Sequence, residues 1–531
     1  MGGMSAVRAR LLAAAGATMA ATCTSLASSD AGAPSDAGAP LDERGAAVPF
    51  LTAPPPRARP DAKLAFVQLL TRHGDRTSIN PLPMETREQW SKLLPSSDAC
   101  ASMTASAAPH PPNPALLDAK REAAWHGQLT TKGVDQMRDT GAALREWLVE
   151  REGVSVLPPT LEEAVGSGAV RIRSTSTRRT VQSAQAMMQG LYGVRDPSSS
   201  DGLRVEVRDR MNESMFPNPG MSCRRQIELM KSLDGDHVVK TAEQDAWGRR
   251  TLAAVRDLVH ARNVDKRRRQ REEALRELNA VKDGNAVHAE KSTEGNTMSS
   301  IPQSTAGEST VGGEQVEPVP TSASKGELPA HLGRDPRRPS CTSVWEPLQA
   351  RANHGLSLPE GVTASDVALI RRAAEVRYIN RATNMEGAGL TGGRLLRELA
   401  NEAADVANGK STQKLSLYSG HDSTIIALLA VLGAFQGEWP PVASTVVVET
   451  WKVGDGLGRP HWSSRALKAS EDGDMVRVLF NGEVLPLPGC AGQDPIHRGG
   501  LCALDKFVAM ADERDPRDYE EACKPRGGSK L

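Results

Sequence analysis

Three apolar runs stand out along the chain, and each ends in a short polar stretch. Leu64-Ala-Phe-Val-Gln-Leu-Leu70 is nearly continuous, as a strand covered on both faces should be, and it stops at Thr71-Arg-His-Gly74. Ala169-Val-Arg-Ile172 gives way to Arg173-Ser-Thr-Ser-Thr177 and then to a helical stretch from Arg178 to Tyr192. Lys414-Leu-Ser-Leu-Tyr418 runs into Ser-Gly-His-Asp422, followed by a second helical stretch from Ser423 to Leu432. Between the first two runs, Val134, Met137, Gly141, Leu144 and Leu148 recur at three-and-four spacing, which predicts a helix N-capped by Thr130 and reaching Glu150. Strand, polar turn and helix in this repeated order predict an α/β fold whose ligand site lies beyond the carboxyl ends of the strands.

The same pattern divides the chain. Arg8 and Arg10 precede an Ala-rich apolar run from Leu11 to Ala21, and Ser25-Leu-Ala27 supplies small residues for cleavage, so residues 1–27 read as a secretory signal. With no acid before Asp30, a mitochondrial transit peptide is the alternative. The run is too short to span a membrane. Two copies of Ser-Asp-Ala-Gly-Ala-Pro open a Pro/Ala/Gly-rich linker over residues 28–60. Ordered sequence is expected over 61–262 and 341–525. Residues 263–340 begin with the basic run Lys266-Arg-Arg-Arg-Gln-Arg271 and continue rich in Ser, Thr, Gly, Glu and Pro. Too little of this stretch is apolar to offset ordering entropy, which predicts a disordered charged insertion.

Composition changes the picture in two respects. Lys plus Arg and Asp plus Glu count 65 each, so nothing global calls for nucleic acid or an anionic membrane, and anion binding must be local. Cleavage near Ala27 would remove Cys23 and leave Cys100, Cys223, Cys341, Cys490, Cys502 and Cys523, an even set that suits pairing in an oxidising space. Their spacing does not choose a connectivity and contains no structural-zinc pattern.

The chemistry lies in the three polar stretches. Arg72-His73-Gly74-Asp75-Arg76, Arg173 and His421-Asp422 would meet at one sheet edge, where arginines match phosphate oxygens in bidentate fashion. Gly74 would let the backbone approach the anion, and His421 sits at a helix start that favours one. With phosphate held by Arg72, Arg76, Arg173 and His421, His73 is the candidate nucleophile and Asp422 the candidate proton donor. No metal or other cofactor is called for, and an acidic pH optimum is expected. Asp75, between two arginines, reads as a group that orients them.

Arg72-His-Gly-Asp-Arg-Thr77, Arg173-Ser-Thr175 with Arg179-Thr180 and Ser183-Ala184 behind it, and Tyr418-Ser-Gly-His-Asp422 resemble the signature blocks of the histidine acid phosphatases, within the phosphoglycerate-mutase-like superfamily. Ser78 stands where many members have proline, and Ser176 where many have aspartate. The resemblance implies a doubly wound, mostly parallel sheet with a smaller helical cap inserted. It also implies a phosphohistidine at His73, phosphate ligands at Arg72, Arg76, Arg173 and His421, and a proton donor at Asp422. Leu82-Pro-Met84 with Gln89-Trp90, Gly127-Gln-Leu-Thr130, Phe216-Pro-Asn218, Glu438-Trp-Pro-Pro441 and Gly500-Leu-Cys-Ala-Leu-Asp505 are most similar to the lysophosphatidic acid phosphatase branch. Family resemblance further implies the pairs Cys490–Cys502 and Cys223–Cys523, with Cys100 and Cys341 as the remainder.

The implied function is hydrolysis of phosphate monoesters, with lysophosphatidate-type lipids as candidate substrates. A broad-specificity acid phosphatase or phytase is the rival among enzymes, and a catalytically silent anion-binding scaffold the rival outside them. A phytase should line its cap with lysine and arginine, a lysophosphatidate enzyme with an apolar channel. Arg224-Arg225 and Arg249-Arg250, set among leucines and methionines, leave both open. The expected partners are small phosphomonoesters or lysophospholipids and not nucleic acid. The expected setting is secreted or endomembrane-lumenal, with a mitochondrial alternative and no transmembrane segment in the mature chain. Oligomeric state stays open.

Overall fold

A computed structural model describes residues 62–247 and 340–526, apart from positions 83, 112–124, 152–154, 194–202, 454–472 and 491–499, together with Pro55, Ala58 and Val255. Residues 256–339 separate as a second unit. With the expected leader, most of the linker and all of the expected insertion but Ser340, they lie outside the described residues.

The described strands are, in chain order, β1 (Ala62–Arg72), β2 (Ala107–His110), β3 (Val170–Ser174), β4 (Leu203–Val207), β5 (Leu415–Gly420), β6 (Thr445–Val453), β7 (Gly473–Phe480), β8 (Glu483–Val484) and β9 (Cys502–Ala503). They form one sheet in the order β2-β4-β3-β5-β1-β6-β7-β8, with β9 added to β7. From β2 to β1 every pairing is parallel. Beyond β1 the pairings are antiparallel, so the expected parallel block carries an antiparallel extension.

The longer helices are α1 (Thr131–Arg145), α2 (Arg178–Tyr192), α3 (Arg224–Asp234), α4 (His237–Trp247), α5 (Cys341–Asn353), α6 (Ala364–Ala382), α7 (Arg394–Ala407), α8 (Asp422–Val431) and α9 (Leu504–Arg514). Thr130 caps α1 by accepting the Gly133 N–H at 3.1 Å, and a π-helical turn, Glu146–Glu150, carries the helix to its expected end. Strand periodicity sorts the core into two layers. Val67, Leu69, Ile172 and Leu417 pack under Val134, Met137, Val181 and Met187 of α1 and α2. Leu70, Tyr418, Val446 and Val448 pack with Leu396, Leu399, Ile425 and Phe507 of α7, α8 and α9. Helices therefore cover both faces, as the parallel block requires. The cap consists of α3 to α6, with α6 packed against the other three.

Cys223–Cys523 and Cys490–Cys502 are disulfide-bonded, as the resemblance implies. The remaining two, Cys100 and Cys341, are not joined in a disulfide. Cys100 lies on the helix Ser97–Ser106, which packs on α2, whereas Cys341 opens α5 in the cap beside Glu243 and Arg377. No helix among the described residues is long and apolar enough to cross a membrane.

Candidate active site

β1 and β5 are parallel neighbours with Arg72 opposite Gly420, so His73 and His421 leave the sheet side by side. The His73 N–H donates to the Gly420 carbonyl at 3.1 Å, and the two imidazole centroids are 5.7 Å apart. His73 Nδ1 lies 2.8 Å from the Gly74 carbonyl. A carbonyl only accepts, so Nδ1 carries the proton and Nε2 keeps its lone pair. Burial, then the charges of Arg179, Arg72 and Arg76, hold the His73 pKa well below the usual histidine range. The neutral form of the ring is favoured accordingly.

Three guanidiniums surround it. Arg72 donates from Nη1 to the Pro440 carbonyl at 2.5 Å and pairs through Nη2 with Asp422 Oδ2 at 3.1 Å. Arg76 donates from Nη1 to the Thr77 carbonyl at 3.0 Å and to Glu346 Oε1 at 2.5 Å. Arg179, in the first turn of α2, donates from Nη2 to His421 Nδ1 at 3.3 Å. Burial and the neighbouring Arg76 and Arg72, against the opposing pull of Asp422, bring the Arg179 pKa down to about 9, so it remains a cation in acid. The Nε atoms of Arg72, Arg76 and Arg179 are all buried and lack a hydrogen-bond partner among the described residues. Buried donors gathered among like charges call for an anion.

His421 is the N-cap of α8. Because its Nδ1 accepts from Arg179, Nε2 bears the proton and donates to Thr175 Oγ1 at 3.1 Å. The Thr175 hydroxyl passes on to Thr180 Oγ1 at 2.8 Å, which donates to the Thr177 carbonyl at 2.7 Å. Phe216 stacks on the His421 ring at 5.7 Å. Asp422 Oδ1 accepts the Ser423 N–H at 2.7 Å. Burial alone would raise the Asp422 pKa, but Arg72, Arg76 and His421 outweigh it and hold the carboxyl below its ordinary value.

Of the expected residues, Arg72, His73, Arg76, His421 and Asp422 converge, and Arg173 does not. β3 runs on to Ser174, and strand alternation puts Arg173 with Arg171 on the face that α7 covers. Its Nε donates to Glu213 Oε2 at 3.1 Å, Nη1 to Glu398 Oε2 at 2.5 Å and Nη2 to Ser214 Oγ at 2.8 Å as well as to Glu213 Oε1. Every guanidinium nitrogen is thus engaged by Glu213, Ser214 or Glu398, and the side chain does not join the cluster around His73. The residue overlooked is Arg179, and the helix start expected at Arg178 was the signal that could have found it.

A Cβ on Gly74 would stand 2.3 Å from the Gly133 carbonyl oxygen, so packing of the loop on α1 requires glycine there. Asp75 does not orient the arginines by hydrogen bonds. Its Oδ2 accepts from Thr130 Oγ1 at 2.7 Å and meets His354 Nε2 at 2.5 Å, while Oδ1 accepts from Asn353 Nδ2 at 3.1 Å, tying the loop to α1 and the cap.

A cavity of about 130 Å³ lies under the cap, lined by Leu229, Met230, Tyr378, Ile426 and Ala430, and reaching Pro217 and Ser423, the neighbours of Phe216 and Asp422. Arg381 in this lining is neutralised by Asp234, at 2.9 and 2.8 Å.

The sequence pattern of the histidine phosphatase superfamily (branch 2) matches residues 63–301 and 372–481. Testicular acid phosphatase from Homo sapiens is 26% identical over 489 residues, covering 88% of this chain and 84% of that one. Counting factor 60 from Dictyostelium discoideum is 23% identical over 476 residues, covering 87% and 88%. Lysophosphatidic acid phosphatase type 6 from Bos taurus is 24% identical over 481 residues, covering 87% and 86%.

Proposed function

The chain belongs to the histidine phosphatase superfamily (branch 2) and hydrolyses phosphate monoesters, and we propose that His73 carries this reaction as a covalent nucleophile. The observation that supports the site most directly is the gathering of unpaired buried Nε–H donors from Arg72, Arg76 and Arg179 around a neutral imidazole. A phosphoryl group held by these arginines presents phosphorus to His73 Nε2. The Nε2 lone pair forms the N–P bond as the ester P–O bond breaks, and Asp422 gives its proton to the leaving oxygen. Asp422 then takes a proton from water, the water oxygen attacks phosphorus, the N–P bond breaks, and inorganic phosphate leaves.

Asp422 is ionised in the ligand-free protein, and an incoming phosphate anion raises its proton affinity. That requirement supports an acidic optimum. The same anion draws Arg179 toward its oxygens.

The apolar cavity beside Asp422 supports a leaving group with an apolar tail, such as a lysophosphatidate-type lipid. Cap residue Arg225, one of those that kept a phytase open, is paired with Glu386 at 2.8 Å. The two disulfides support a secreted or lumenal protein in an oxidising space, and nothing favours the mitochondrial alternative.

Phosphate release at about pH 5 from an aryl phosphate, lysophosphatidate and phytate, by wild type and His73→Ala, tests this reading. Release from the first two is expected, and the variant should lose it. No release by wild type from any substrate overturns the site, and preference for phytate overturns the lipid assignment.

A further inference from the structure

Glu346, on α5 of the cap, reaches the arginine cluster from its outer side. Its Oε1 accepts from Arg76 Nη1 at 2.5 Å and from the Ile79 N–H at 2.9 Å, and its Oε2 accepts the Asn80 N–H at 3.2 Å. The Arg76 side chain is 7% exposed, the Glu346 side chain 14% and Ile79 40%. The carboxylate thus stands at the rim, between buried cations and solvent. Arg72 and Arg179 also feel its charge. Ser423, beside Asp422, lines the apolar cavity.

The charges of Arg72, Arg76 and Arg179 exceed those of Asp422 and Glu346 by a single positive charge. Once Asp422 is protonated for its role as acid, one phosphate dianion neutralises what is left. A second phosphate on the same substrate finds no unbalanced cation in the cluster and meets a fixed carboxylate at its edge.

We propose that Glu346 is a specificity-determining residue, a charge filter that favours substrates bearing one phosphate and disfavours a second anionic group close to the ester. The inference rests on the phosphate site proposed above. The competing role, a clamp that only pins the 78–80 loop to α5, needs acceptor oxygens on Glu346 but not its charge, and substitution separates the two.

Competitive inhibition of aryl phosphate hydrolysis by orthophosphate and by pyrophosphate is measured at about pH 5.5 for wild type, Glu346→Gln and Glu346→Asp. In Glu346→Gln the inhibition constant for pyrophosphate should fall about tenfold relative to that for orthophosphate, the scale of a like-charge contact at a partly screened distance. Glu346→Asp, which keeps the charge, should retain the wild-type ratio. Where Glu346→Gln does not fold, Glu346→Ala removes the charge without setting an amide against the Asn80 N–H. An unchanged ratio in an active uncharged variant overturns the filter and leaves the phosphate site standing. Absence of aryl phosphate hydrolysis by wild type overturns both.

Discussion

Arg179 Nη2 lies 3.3 Å from His421 Nδ1, whereas Arg173, on the strand that leads to the same loop, is held by Glu213 and Glu398 on the other side of the sheet. Two arginines of one sequence block therefore do different work. Arg179→Ala should lower kcat/KM by about 100-fold or more, as loss of a donor to developing phosphate charge does. It should leave Tm unchanged or higher, since Arg179 is buried among like charges. Arg173→Ala strands the buried Glu213 carboxylate and should destabilise by about 3–5 kcal/mol. Kinetics and thermal melts on both variants decide the matter, and the reverse pattern would return Arg173 to the site.

His73 and His421 are both held neutral by burial and nearby arginines. Their folded pKa values lie below the unfolded value of about 6.5, so the folded protein binds fewer protons. The stability this contributes is present above about pH 6.5 and declines as pH falls through and below that value. The Tm of the ligand-free protein should therefore drop between about pH 7 and pH 5, and added phosphate should restore part of it. Nitrogen NMR at about pH 6 should show His73 neutral and protonated on Nδ1; an imidazolium there would remove the nucleophile from the scheme.

Asp422→Asn should cost about 10²–10⁴-fold in kcat with an alkyl phosphate and markedly less with p-nitrophenyl phosphate, whose leaving group needs little protonation. Equal losses on the two substrates would show that Asp422 acts on binding, through its contact with Arg72, and not as the acid.

Alkylation of the denatured, unreduced protein followed by mass spectrometry should label Cys100 and Cys341 and spare Cys223, Cys490, Cys502 and Cys523. Burial pushes the Cys341 thiol up to about 12, so it should react only on unfolding. Cys223–Cys523 closes a separation of 300 residues, and its removal should cost about 2–5 kcal/mol in a denaturant titration. A Cys100–Cys341 peptide would contradict the fold described for these two helices.

The local pattern was sufficient for β1, β3, β5 and α2. A parallel strand buried on both faces needs a continuous apolar run, and its loop begins where that run stops. This logic also located His73, His421 and Asp422, because each lies immediately past a strand and its backbone position follows from chain order. The antiparallel strands β6 and β7 escaped this reading. Thr445–Val453 acquires its meaning from pairing with β1, hundreds of residues earlier in the chain, and Gly473–Phe480 from pairing in turn with Thr445–Val453.

Tertiary structure alone decided the partners of the charged side chains. Which face Arg173 takes depends on where β3 ends, and what it meets there depends on Glu398, brought in on α7 from far along the chain. Arg179, Asp75 and Glu346 follow the same rule: each sits in a local sequence compatible with several roles, and the choice is made by His421, His354 and Arg76, residues delivered by other elements. An amino-acid sequence specifies the charge and reach of a side chain locally. Its partner is settled by packing, because burial forces each ionic group to the nearest complement that the folded layers provide.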